Sequence, residues 1–198
     1  MSKFEVLDSL LQTNNGFLSS SEAVAAGISR PYFREYVRDR GLERVSHGLY
    51  MSQDAWEDDM YVIQVRYPQA VFSHETALYL LSLAEREPLQ YSITLKAGAN
   101  ASGLTKQGIK VYKIKEGLFC LGITEARSPA DHSLRVYNPE RTICDLIRSR
   151  RNIEIQDIQS AFRAYVRRSD KNIPLLMRYA KELKVERRVR QYLQVLLP

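Results

Sequence analysis

The sequence predicts an α+β fold, and three observations lead to that prediction. Helical periodicity with caps and breakers covers the first part of the chain, and two short strand-like segments follow it. Beyond residue 60, segments rich in β-branched and aromatic residues are mixed with helical ones. From Ile153 onward the pattern is helical throughout. We therefore expect a domain at 1–60 and a larger mixed α/β domain at 61–198 that ends in several helices.

Caps and breakers define the first two helices. An amphipathic helix begins at Ser2 and ends at the Asn-Asn-Gly sequence of 14–16, because Asn and Gly tolerate the left-handed conformation of a helix end. Ser19 and Glu22 form the S-x-x-E capping box of a second helix. Gly27 ends that short helix.

The third helix and a hairpin complete the N-terminal pattern. Ser29 and Pro31 begin the helix, since proline is tolerated in a first helical turn, and Gly41 ends it. Two short strands are then expected at 42–45 and 49–51, joined by a Ser-His-Gly turn. Three helices followed by a hairpin is the order of a winged helix-turn-helix.

The second domain is expected to begin after an acidic linker or connecting helix at 53–60. Ser73 caps a helix, and Asn138 caps another whose first residue is proline. Pro174 marks the start of a late helix. Strands are predicted for YSITLKAG, GIKVYKIK and LRVY.

The spacing within residues 19–37 is typical of a helix-turn-helix. Such a motif needs a small residue where its helices cross and a turn residue that adopts positive φ. Ala23 and Gly27, four positions apart, meet these needs. Ile28, Phe33 and either Tyr36 or Val37 fall where inward-facing residues are required.

Arginines recur every four residues on another face of the third helix. Arg30, Arg34 and Arg38 form this stripe. Arginine donates paired hydrogen bonds to guanine or grips phosphates, and the N-terminal part of such a helix enters the major groove of duplex DNA. An alternative is a solvated helix whose arginines pair with the nearby acids Glu35, Asp39 and Glu43. The predicted DNA-binding residues are Ser29, Arg30, Tyr32, Arg34, Arg38, Arg40, Arg44, Ser46 and His47: Arg30, Tyr32 and Arg34 for base readout, Arg38 and Arg40 for phosphates, and Arg44, Ser46 and His47 on the wing.

The net charge of +6 is distributed unevenly. Residues 1–60 hold six basic and ten acidic groups, whereas 148–198 hold thirteen basic and five acidic groups. The C-terminal excess permits a polyanionic partner. Solvated helix faces are the alternative. The residues of this possible second basic surface are Arg148, Arg150, Arg151, Arg163, Arg167, Arg168, Lys184, Arg187, Arg188 and Arg190.

The sequence gives no pattern of an enzyme. The Ser-Gly pair at 102–103 lacks phosphate-loop spacing, and no Gly-Ser loop precedes an Asp-x-Asp pair. His47, His74 and His132 are scattered, so neither a metal site nor a cofactor is expected. Arg141 and Asp145 are four apart and are expected to form an intrahelical pair, with Asp145 structural.

Compartment and solubility are also constrained. No apolar run approaches the length of about 18 residues that suggests a membrane span. The N-terminus lacks the pattern of a secretory signal, so a cytoplasmic location is expected. Cys120 and Cys144 have no repeated spacing and are expected to be buried free thiols.

Three segments in this order give the sequence a family resemblance. GISRPYFREYVRDRGLERVSHGLY, FSHETALYLL and RVYNPERTICDLI together resemble the AbiEi-type antitoxins of bacterial abortive-infection systems. The resemblance implies a phage-defence antitoxin of the type IV toxin–antitoxin class. It also implies repression of the protein's own operon through inverted repeats in the promoter. The implied second partner is a co-encoded nucleotidyltransferase-like toxin, opposed by the second domain without a stable complex.

These lines of reasoning leave two main hypotheses, and a nucleic-acid enzyme is the third. The first is a transcriptional autorepressor and antitoxin that binds promoter DNA through a winged helix-turn-helix. The alternative is an antitoxin that docks its toxin directly and binds no specific DNA. The second basic surface extends the DNA contact in one interpretation and meets an RNA or nucleotide connected with the toxin in another.

Overall fold

The structure, a computed structural model, describes residues 2–196 and has a mixed α+β fold. Within those residues it contains eleven helices and two β-sheets. No helix among them has the length and apolar content needed to cross a membrane. The elements in chain order are α1 Lys3–Thr13, β1 Phe17–Ser19, α2 Ser20–Ala25, α3 Arg30–Asp39, β2 Glu43–Ser46, β3 Leu49–Met51, α4 Asp59–Arg66, β4 Val71–Phe72, α5 His74–Leu80, β5 Ser92–Lys96, α6 Ser102–Thr105, β6 Lys110–Ile114, α7 Glu116–Phe119, β7 Ile123–Arg127, β8 Ser133–Tyr137, α8 Pro139–Arg148, α9 Ile155–Arg167, α10 Ile173–Glu182 and α11 Glu186–Leu196.

The chain divides into two compact units. Unit 1 consists of Met1–Pro68 and Arg127–Leu134, and unit 2 consists of Gln69–Ala126 and Arg135–Pro198. Unit 1 thus continues past the expected boundary at residue 60. The reason is that α4 contributes three half-buried apolar side chains to a unit 1 core cluster around Phe17.

Unit 1 combines its first three helices with a small antiparallel sheet of order β1-β3-β2. Both outer strands pair with β3, and the register of β2 shifts between Arg44 and Ser46. The capping box of Ser19 and Glu22 is present at α2, as predicted. Strand β1 was not predicted, because three buried residues are too few to show an alternating pattern.

A buried polar cluster joins the later segment of unit 1 to its earlier part. His132 Nδ1 lies 2.7 Å from the Asp58 carboxylate, and its Nε2 lies 3.1 Å from the Asn14 carbonyl. The His132 ring also stacks on Tyr61 at 4.0 Å between centroids. Asp58 caps α4 as well, so the acidic segment 53–60 becomes helical only at its end.

Unit 2 contains a five-stranded mixed sheet of order β6-β5-β4-β8-β7. Strand β4 pairs antiparallel with β5 and parallel with β8, and β5 pairs parallel with β6. The predicted strands in this region correspond to β5, β6 and β8. The short helices α6 and α7 and the strands β4 and β7 were not predicted.

Helix α8 forms the centre of the helical layer of unit 2. It packs against α5, α9, α10 and α11, and every residue of 140–147 is buried. Asn138 caps it and proline opens it, as the sequence predicts. Because the helix is surrounded, its polar residues must find partners inside the unit.

The two cysteines are free and differ in exposure. Cys144 is buried on α8, as expected. Cys120 is exposed, so the prediction that both thiols are buried is wrong for this residue. It lies directly after α7, whose last residue, Phe119, takes the buried position instead.

Candidate nucleic-acid interface

The turn between α2 and α3 has the features that the sequence motif requires. Ala23 is fully buried, so the two helices approach closely at a small side chain. Gly27 has a φ of +78°, and a Cβ built at this position would meet no atom within 4 Å. Glycine is therefore required here by the backbone conformation rather than by crowding.

The inner face of α3 is anchored on both sides. The Phe33 ring packs edge-on against Tyr50 of β3 at 5.4 Å between centroids. The Tyr36 hydroxyl donates a 2.7 Å hydrogen bond to Asp8 of α1. Burial, together with the Asp8 carboxylate, raises the pKa of Tyr36 well above its usual value, so this hydroxyl keeps its proton. These contacts fix the rotation of α3 about its axis.

The fixed rotation turns three arginines to solvent. Arg30, Arg34 and Arg38 are exposed, and we call them the arginine ridge. Within residues 2–196, no hydrogen bond or ion pair joins their side chains to another residue, so pairing with nearby acids is not seen. The ridge presents three unpaired guanidinium groups along one face of the helix.

Two other predicted DNA-binding residues of α3 have partners within unit 1. The Tyr32 ring is half-buried and packs edge-on against Phe4 at 5.4 Å. Arg40 Nη2 donates to the Asp8 carboxylate at 2.7 Å, and the Arg40 side chain remains 44% exposed. Both partners lie in α1, which sequence spacing along α3 cannot reveal.

The β2–β3 turn carries the remaining predicted residues. Arg44 is exposed and its Nε donates to the Ser46 carbonyl at 3.2 Å, while Ser46 is half-buried. His47 is exposed. Gly48 has a φ of +70°, and a Cβ there would come within 2.7 Å of the Ser20 hydroxyl.

Ser29, the N-cap residue of α3, is exposed and makes no side-chain cap hydrogen bond.

The predicted second basic surface separates into smaller groups in unit 2. Arg148, Arg150, Arg151 and Arg188 line one cavity together. Lys184 and Arg187 line a neighbouring depression that also includes Arg188. Arg167 is exposed and makes no described contact.

The other members of that set have intramolecular partners or apolar neighbours. Arg168 donates two hydrogen bonds, of 2.8 and 2.7 Å, to the Asp170 carboxylate. Arg190 donates to Glu186 at 2.9 Å. Arg163 lies beside a depression with mostly apolar walls on α9 and α11.

The expected intrahelical pair of α8 is present. Arg141 Nε donates to Asp145 at 2.9 Å, and both side chains are buried. Among residues 2–196, no group of three His, Cys, Asp or Glu side chains is arranged to hold a metal ion. Sequence reasoning treated His74 as an isolated residue, yet the structure places it in the same cavity as Arg148.

Comparison with known proteins bears on the fold alone. No protein-family model and no curated protein matches the sequence. Among solved structures, the chain resembles the crystal structure of the RV2827C protein from Mycobacterium tuberculosis, with a TM-score of 0.53 and 15% sequence identity. The match covers 91% of this chain and 72% of that chain, and it agrees with a mixed α+β architecture.

Proposed function

We propose that unit 1 is a winged helix-turn-helix that binds double-stranded DNA, with α3 as the recognition helix and the β2–β3 turn as the wing. The observation that supports this proposal most strongly is the arginine ridge. Its guanidinium groups are exposed and unpaired although acidic residues lie nearby in the sequence. A solvated helix face has no need to keep three such cations on one side.

The proposed biological role is that of an autorepressor and antitoxin. Its support is the resemblance of three sequence segments to AbiEi-type antitoxins, together with the ridge as a means of binding promoter DNA. In this role the chain binds inverted repeats upstream of its own gene in the cytoplasm and represses transcription. It also opposes a co-encoded nucleotidyltransferase-like toxin in phage defence, without a need for a stable complex.

The decisive experiment measures binding of the full chain to the DNA immediately upstream of its gene. We expect Arg34→Ala to reduce the preference for this DNA over a scrambled duplex by about 1–3 kcal/mol, because Arg34 reads a base edge. Fluorescence anisotropy with both duplexes at equal salt gives this difference. The matched control is Arg66→Ala, which removes an exposed arginine of unit 1 that lies on α4 and not on α3.

Two outcomes of this experiment contradict parts of the proposal. If Arg34→Ala lowers the affinity for both duplexes by the same factor, Arg34 contacts phosphates and does not specify sequence. If the wild-type chain has no affinity for either duplex, the alternative of direct toxin docking replaces DNA binding. A steep fall in affinity with rising salt supports phosphate contacts, whereas an apolar docking surface is insensitive to salt.

A further inference from the structure

Unit 2 contains a cavity that the proposed DNA-binding function does not use. Its volume is about 420 Å³. Ligand pockets for whole organic molecules span about 300–1,000 Å³, so the space exceeds what a single small ion needs. The walls come from β5, β6, α5, α8, the 149–152 segment and α11: His74, Thr94, Tyr112, Lys113, Ile114, Arg141, Asp145, Arg148, Ser149, Arg150, Arg151, Asn152 and Arg188.

The cavity is lined by an excess of positive charge. Six of its lining residues are arginine or lysine, and Asp145 is the single carboxylate among the residues that line it. That carboxylate is already bound by Arg141. Arg148, Arg150, Arg151 and Arg188 are exposed and make no described ion pair. The cations belong to separate elements, so the fold, and not one helix face, brings them together.

Arg141 provides a second, independent observation. Its side chain is 0% exposed, and Nε donates to Asp145 while Nη1 donates to the carbonyls of Leu118 and Leu121 at 2.7 and 2.8 Å. Its Nη2 has no hydrogen-bond partner among the described residues. An unsatisfied buried donor of a charged group is costly, and the residue that carries it lines the cavity.

A chain of hydrogen bonds leads from the interior to the cavity. Thr94 Oγ1 donates to Ser73 Oγ at 2.9 Å, Ser73 Oγ lies 3.0 Å from His74 Nδ1, and His74 Nε2 lies 2.9 Å from Ser149 Oγ.

His74 has a φ of +51°, an uncommon conformation for a residue other than glycine. Burial, and then the nearby cations Lys110, Arg141 and Arg148, hold the pKa of His74 well below its usual value.

A neutral His74 sets the polarity of this chain. In the tautomer in which Ser73 donates to Nδ1, the ring proton lies on Nε2 and is donated to Ser149 Oγ. The Ser149 hydroxyl is then free to donate its own hydrogen towards the cavity. Together with the exposed guanidinium groups of Arg148, Arg150, Arg151 and Arg188, this hydroxyl gives the cavity several donors for an anion.

We propose that this cavity binds a polyphosphate chain, either free or as part of a nucleoside triphosphate. Arginine forks match phosphate oxygens, and a net lining charge of +5, from six cations and one carboxylate, suits a ligand of several negative charges. The neighbouring depression shares Arg188 and adds Lys184 and Arg187, which extends the basic surface beyond the cavity. The proposal is independent of DNA binding by unit 1.

The test is isothermal titration calorimetry of the full chain at low salt with ATP, sodium tripolyphosphate, AMP and adenosine. We expect ATP and tripolyphosphate to bind, AMP to bind at least about tenfold more weakly, and adenosine to give no heat of binding. The expected difference arises because each lost charge-assisted contact changes affinity by about tenfold or more.

Matched substitutions locate the site. Arg148→Gln and Arg188→Gln each weaken ATP binding by about tenfold or more, and Ser149→Ala weakens it by a smaller factor. Arg167→Gln is the control, because it removes an equal charge from an exposed, unpaired side chain of α9 outside the cavity. The three arginine side chains are exposed, so unchanged thermal melting is expected for those variants, whereas Ser149→Ala removes the hydrogen-bond partner of buried His74 and is expected to melt at a lower temperature.

Several results would overturn the assignment. They are an absence of ATP binding by the wild-type chain, equal binding of adenosine and ATP, and equal loss of affinity in Arg167→Gln and Arg188→Gln. Binding of a single-stranded oligonucleotide but of no free nucleotide, lost in Arg188→Gln, replaces the triphosphate with a nucleic-acid end.

Discussion

The two units use arginine in opposite ways. In unit 1, Arg30, Arg34 and Arg38 are exposed on the outside of one short helix and have no hydrogen bond or ion pair with another described residue. In unit 2, arginines of α8, α11 and the 149–152 segment converge on a cavity that is open to solvent, and Arg141 is completely buried. A ridge suits the long, regular surface of a duplex, whereas a cavity suits a compact anion that is surrounded on several sides.

The comparison also shows that net charge says little about where anions bind. Residues 1–60 have a net charge of −4, yet they contain the exposed ridge. Residues 61–198 have a net charge of +10, yet Arg168 and Arg190 are paired with carboxylates. Placement and pairing, and not the sum of charges, define the two candidate surfaces.

The largest expected effect on stability separates buried from exposed arginine. Arg141→Met should lower the free energy of unfolding by about 3–5 kcal/mol, because Asp145 loses its buried partner and two carbonyls lose a donor. Denaturant titration followed by circular dichroism measures this change.

A second pair in the same unit serves as the control. Arg190 and Glu186 have the same spacing of four residues on a helix, but both side chains are largely exposed. We expect Arg190→Met to change stability by no more than about 0.5 kcal/mol. Equal losses in the two variants would mean that burial does not distinguish the arginines of unit 2.

The next effect concerns pH and tests the electrostatics of the cavity. The folded-state pKa of His74 lies below its usual value of 6.5. Just below pH 6.5, His74 therefore binds a proton in the unfolded chain but not in the folded chain. Protonation of His74 in the unfolded chain therefore does not lower the free energy of unfolding above about pH 6.5. It lowers the free energy of unfolding progressively as the pH falls below that value. The slope approaches about 1.4 kcal/mol per pH unit for one proton.

The measurement compares unfolding free energies of the wild type and His74→Gln between pH 7.5 and 5.5. The variant should lack the part of the slope that His74 contributes, while the ridge arginines stay charged throughout this range. A bound anion neutralises the neighbouring cations, so saturating tripolyphosphate should flatten the wild-type slope. Parallel profiles of the two proteins would contradict a neutral, buried His74 in the folded state.

The contrast between the units also explains what the sequence could predict. Local signals gave the helices and strands of unit 1 up to residue 51, apart from β1, because caps such as Ser19 and turn glycines such as Gly27 act within a few residues. The exposure of Arg30, Arg34 and Arg38 follows from the same local periodicity. The engagement of Arg40 with Asp8 depends on a contact 32 residues away, which periodicity does not contain.

The cavity of unit 2 is the part that the sequence could not predict. His74, Tyr112, Arg148 and Arg188 lie on four different elements and share no motif. Arg141 and Asp145 were correctly predicted as a pair, but their burial depends on α8 being surrounded by four helices. A cluster of arginines at 148–151 after a capped helix was the one local signal, and it did not reveal a concave site.

The exposed ridge is likewise expected to contribute little to stability. Replacing Arg30, Arg34 and Arg38 together with alanine should change the free energy of unfolding by no more than about 0.5 kcal/mol per site, because the side chains are exposed and make no described hydrogen bond or ion pair. Promoter binding should nevertheless be lost, while protection of cells against the co-encoded toxin should persist. Denaturant titration, anisotropy and a toxin co-expression assay measure these three properties on one variant. Loss of protection with intact folding would contradict the assignment of antitoxicity to the second domain, and a large loss of stability would show that the ridge packs against the protein and is not available to DNA.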